Sequence, residues 1–98
     1  MGTAQSSGIL TTGTAQVTKG RGVISAVHSI SDNTNVATVT VYDNDAGDTS
    51  GTVLAKVNGS VTIGSNGAIW TTPVRYEYGI TVVVAGTGTP QGIVYYGA

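Results

Sequence analysis

The chain contains no cysteine and no phenylalanine. Without cysteine there is no disulfide framework and no thiolate metal site. Charge is scarce as well: Asp, Glu, Lys and Arg make up 9% of the 98 residues, against about 25% in an average soluble domain. The fixed cations are Lys19, Arg21, Lys56 and Arg75. They are too few and too scattered for a stripe that neutralises phosphates or a segment that holds anionic lipid. Neither nucleic acid nor a membrane is therefore an expected partner. Leucine occurs only at Leu10 and Leu54, and no apolar run is long enough to span a bilayer. The start has no basic region followed by an apolar one, so no secretory signal is expected.

What the chain does have is glycine (15 residues), valine and threonine. Its length fits one domain. β-Branched residues suit a pleated, half-buried surface, which favours strands over helices. No window carries a helical period. Net charge is −1, so the outside must be covered by Thr, Ser, Asn and Gly. A neutral polar surface suits a protein packed against copies of itself.

The sequence predicts an all-β protein: a single antiparallel β-sandwich, jelly-roll-like or Ig-like, of about eight short strands. Residues 1–13 read as a flexible N-terminal arm in which Ile9-Leu10 is an anchor or the start of a strand; residues 14–98 form the sandwich. Expected strands cover 14–18, 22–31, 36–43, 52–57, 74–78, 80–85 and 92–96. On the second, Val23, Ser25, Val27 and Ser29 share one face and Ile24, Ala26, His28 and Ile30 the other. On the fourth, Val53, Ala55 and Val57 point inward. Asn58-Gly59 is the strongest hairpin signal, a type I′ turn leading into Ser60–Ile63. Gly64-Ser65-Asn66-Gly67 reads as a second tight turn, and Pro73 ends the strand after it. Val74, Tyr76 and Tyr78 lie on one side. Gly79 is a bulge or a crossing between sheets.

Residues able to carry chemistry are few. His28 lacks the second His or the Cys that zinc or a nucleophilic triad needs, and reads as half-buried or at an interface. Asp43-Asn44-Asp45-Ala46-Gly47-Asp48 offers oxygen ligands at alternate positions, as Ca²⁺ prefers. Gly47 and Asp48 stand in the wrong order for an EF-hand, and a loop whose Asp and Asn cap turns is the plainer reading. Glu77 is the sole glutamate; it reads as the ion-pair partner of a cross-strand cation rather than half of a glycosidase pair with an Asp. Gly20, Gly22, Gly64, Gly67, Gly86 and Gly88 read as turn residues, not a phosphate cradle. Trp70, Tyr76, Tyr78, Tyr95 and Tyr96 could line a sugar platform, fill a thin core or form an oligomer interface. Tyr95 and Tyr96 must face opposite sides of their strand. No catalytic, cofactor-binding or metal residue is assigned, and no cofactor is expected.

Four stretches carry a resemblance: Gly-Val-Ile-Ser-Ala-Val (22–27), Val-Thr-Val-Tyr-Asp-Asn (39–44), Gly-Thr-Val-Leu-Ala (51–55), and Tyr-Gly-Ile-Thr-Val-Val (78–83) with a closing Val-Tyr-Tyr strand. From Gly22 onward the chain resembles small capsid decoration, or cement, proteins of tailed bacteriophages. The resemblance implies a β-sandwich that trimerises, sits on the outer capsid surface of the virion and clamps neighbouring major capsid subunits, after synthesis in the host cytoplasm. It also implies no catalysis. Other virion β modules (neck, head–tail or tail fibre) are the alternative, and a carbohydrate-binding module a more distant one.

Overall fold

The computed structural model describes residues 5–31, 36–59 and 65–97, the stretch 65–73 by its backbone alone. Eight strands follow one another: β1 (Gln5–Ser6), β2 (Gly13–Lys19), β3 (Gly22–Ile30), β4 (Ala37–Asp43), β5 (Thr52–Gly59), β6 (Ser65–Tyr76), β7 (Gly79–Gly86) and β8 (Gln91–Gly97). They form two four-stranded antiparallel sheets, ordered β1-β8-β3-β6 and β2-β7-β4-β5. Four of the pairings, β1 with β8, β2 with β7, β3 with β6 and β4 with β5, nest one inside the next. A long antiparallel ribbon folded over on itself makes this pattern, which is the jelly roll. Of the two architectures anticipated, the strand order selects that one.

Valine dominates the core. Val39 and Val41 of β4 and Val82 and Val84 of β7 are buried, together with Ile24, Ile80, Val94 and Tyr76. Alternation along β4 is regular: Ala37, Val39 and Val41 face inward while Thr38, Thr40 and Tyr42 stay half-buried. Burying one face of each sheet against the other is what fixes these registers.

Several local expectations are corrected. Asn58-Gly59 is not a turn: Asn58 pairs with Thr38 and Gly59 with Ala37, so β5 runs straight through. Gly59 serves close approach instead, because a Cβ there would lie 3.0 Å from the Ser29 hydroxyl. The proposed partner strand 60–63 lies outside the described residues. Ser65, Asn66 and Gly67 are not a turn either; they pair with Ile30, Ser29 and His28. Nor does Pro73 end its strand. The β3–β6 ladder passes from Ile24↔Val74 to Ala26↔Ile69, which leaves Pro73, with no N–H to donate, in an irregularity on an edge strand.

Two bulges reverse expected faces. Ser25 is the extra residue of β3 against β8, so Ile24, Val27 and Ser29 are the residues turned fully inward. Leu54 is the extra residue of β5 against β4; it packs on the core while Val53 is exposed. Tyr76 is buried but Tyr78 sits in the following turn, 64% exposed. Gly79 opens β7 at a crossing between the two sheets. Of residues 1–13, Gln5 to Leu10 runs along β8: Ser7 N–H donates to Val94 O at 2.9 Å, and Leu10 exchanges hydrogen bonds with Gly92.

Candidate functional site

The antiparallel pairings gather the 20–21 turn, the 44–51 loop, the 77–78 turn and the end of β8 at one pole of the sandwich. Lys19 pairs with Gly79, Gly22 with Tyr76, and Asp43 with both Thr52 and Ile80. Gly20 N–H donates to Tyr78 O at 2.9 Å and ties two of these turns together. Every charged residue except Lys56, in mid-β5, and Asp32, outside the described residues, belongs to this pole.

The acidic side is built around Asp43 and Asn44. The Asp43 carboxylate accepts the backbone N–H of Glu77 at 2.9 Å and of Tyr78 at 2.8 Å, an anion held in a concave run of amides. Asn44 is buried. Its Oδ1 accepts the N–H of Ala46 at 2.8 Å and of Asp48 at 3.2 Å, while its Nδ2 donates to Asp48 Oδ1 and Ser50 Oγ. The loop is seated on Gln16 and Thr81, directly opposed in the β2–β7 ladder. Gln16 Nε2 donates to the carbonyls of Thr18, Asn44 and Ile80, and the buried Thr81 hydroxyl lies 3.2 Å from Asn44 O. Among the described residues no buried side-chain polar atom lacks a partner. Asp48 is held below its ordinary pKa of 3.8, first by the Ser50 hydroxyl, then by the Ser50 N–H and the Asn44 amide.

The Asp43 carboxylate thus faces the N–H groups of the 77–78 turn, and the Asn44 and Asp48 side-chain oxygens face N–H groups of their own loop. That arrangement makes a rigid structural loop in which Asp43 and Asn44 cap turns. Among the described residues no group of three or more His, Cys, Asp or Glu side chains is placed to hold a metal ion.

The basic side flanks it across the 77–78 turn. Arg21, Arg75 and Glu77 line a groove of about 440 Å³ over Gly22 and Val23. Lys19 and Arg21 also border a smaller groove beside Tyr96 and Gly97. Gly22 is required at this place: a Cβ would strike the Gly97 carbonyl and the Tyr76 hydroxyl. Tyr78 stands exposed and lines a separate groove with Asp43 and Asp45.

The other candidates do not join this pole into one chemical site. His28 is half-buried on β3, its ring 6.2 Å from and edge-on to that of Tyr95 on the neighbouring strand. Tyr95 is exposed and Tyr96 packs against the core, so the pair does split between faces. The Trp70 side chain lies outside what is described. Gly20 and Gly88 have positive φ at turns; Gly86 is instead the last residue of β7, opposite Ala37, and Gly64 lies outside the described residues. Sequence reading did not single out Gln16 or Thr81. Their roles depend on two strands meeting in register, and nothing local marks them. No protein-family model, no curated protein and no solved structure matches the chain.

Proposed function

We propose that the chain is a non-enzymatic virion structural protein, a capsid decoration protein that binds the outer capsid lattice as a homotrimer and stabilises it. The observation that carries this reading is the distribution of charge. With the other charged side chains of the described residues gathered at one pole, Lys56 of β5 is the single charge on the broad faces of the sandwich. These faces present Thr38, Thr40 and Tyr42 on one sheet and His28, Ile93 and Tyr95 on the other. Nearly neutral, β-branched flanks suit dense packing among copies and capsid subunits, where charge would have to be desolvated. The resemblance of residues 22–97 to decoration proteins points the same way, although a jelly roll alone specifies no function.

Binding only the assembled lattice stabilises that state by mass action. Three linked copies turn modest single contacts into avid ones. The test is quantitative detection in purified particles of the phage or prophage that encodes the chain. Hundreds of copies per particle support decoration; about a dozen or fewer place it in a neck or tail instead. Absence from the particles removes the virion reading.

A further inference from the structure

We propose that the charged pole is a head-to-tail interface between copies of this chain. The 45–48 loop of one copy enters the Arg21–Arg75 groove of the next. This rests on the homo-oligomeric reading above and names the surface that would produce it.

Three observations converge. First, charge is unevenly spread over the pole. Arg21 and Arg75 line one groove, with Glu77 as its single carboxylate, and Lys19 and Arg21 border a second, whereas Asp43 and Asp45 line a third that holds no cation. Two complementary patches on one molecule fit a second copy of that molecule, since each supplies what the other's patch lacks. Second, the acidic side has one carboxylate to spare. Asp43 and Asp48 are engaged by backbone and side-chain donors of their own pole. Asp45 is exposed and, among the described residues, takes no part in that network. Third, the groove has the right chemistry for it. Two guanidinium groups present planar forks that match a carboxylate, and Arg is among the residue types that anchor interfaces most often.

In the head-to-tail arrangement each copy uses its groove toward one neighbour and its loop toward the other. Such a contact closes into a ring when its rotation fits, a trimer being the small case. A carboxylate on a different protein could occupy the same groove, but it would leave the acidic loop without a role, and the experiment separates the two.

The experiment is light scattering on a sizing column with the full chain, at low salt and at about 0.5 M NaCl. The wild type is expected to associate, with the association weakened by salt. The double reversal Arg21→Glu/Arg75→Glu is expected to weaken it about tenfold or more. Asp45→Lys should do the same. The triple variant Arg21→Glu/Arg75→Glu/Asp45→Lys, with both patches swapped, should recover the wild-type mass. All changes are at exposed side chains, and an unchanged circular dichroism melt certifies the fold of each variant. An oligomer indifferent to salt and to the reversals overturns this interface while leaving the oligomer standing. A reversal that dissociates the oligomer but is not restored by the triple variant overturns the acidic loop as the occupant. A wild-type monomer at every concentration overturns both readings.

Discussion

Ser29 and Gly59 join the two sheets: the Ser29 hydroxyl on β3 accepts the Gly59 N–H of β5 at 3.0 Å while donating to the Ala37 carbonyl of β4 at 2.7 Å. Ser29 is fully buried. Replacing it with alanine leaves a buried donor and a buried acceptor unpaired. Ser29→Ala is expected to lower stability by about 1–3 kcal/mol, read from the midpoint of urea unfolding.

A larger loss is expected at Asn44. Its amide satisfies the N–H groups of Ala46 and Asp48 and the side chains of Asp48 and Ser50. Asn44→Ala should cost about 2–4 kcal/mol and release the 44–51 loop. Hydrogen exchange at Ala46 and Asp48 would quicken well beyond the global change. Equal acceleration across the whole chain would show that the loop is not held locally.

Gly79→Ala tests the close approach at the sheet crossing. Gly79 has φ +157°, and a Cβ would lie 2.5 Å from the Thr18 carbonyl and 2.9 Å from that of Asn44. Backbone atoms cannot yield as a side chain tip can. A destabilisation of about 2 kcal/mol or more is expected, whereas alanine at Gly20, where a Cβ meets nothing, should lose only the cost of its φ of +88°.

Stability should respond at both ends of the pH range. Asp48 has a depressed pKa when folded, so its contribution is present above 3.8 and disappears as pH falls through the folded value. Asp48→Asn should flatten the acid limb of a stability–pH curve. Tyr76 is shifted upward from 10.0, chiefly by burial and secondarily by Tyr96. Its contribution is intact below 10 and declines as pH rises through the folded value. Tyr76→Phe should remove that alkaline decline.

Much of the sandwich was legible from alternation. The strand at 37–43 could be read because Ala37, Val39 and Val41 alternate with Thr38, Thr40 and Tyr42, and the period alone requires one buried face. Turn chemistry misled at Asn58-Gly59 and Gly64–Gly67. Glycine there has the composition of a tight turn, but at Gly59 its smallness serves contact with Ser29. The reversal at Ser25 was beyond a periodic reading, because a bulge adds one residue and period two continues on the opposite face. At the pole, the 43–48 loop was recognisable as turn-capping polar chemistry. The gathering of charge there was not, since Arg21 and Arg75 come to share one groove only after the strands pair.

The nested pairing also sets an order of events. Only β4 and β5 are consecutive strands that pair with each other, so the innermost hairpin is the one contact available to a short stretch of chain. β8 lies between β1 and β3, and it follows the other seven strands in the chain. Until residues 91–97 leave the ribosome, β1 has no partner and β3 has one bare edge. The sandwich therefore closes only after β8 is released, and a truncation that removes β8 should yield an aggregating chain rather than a smaller domain.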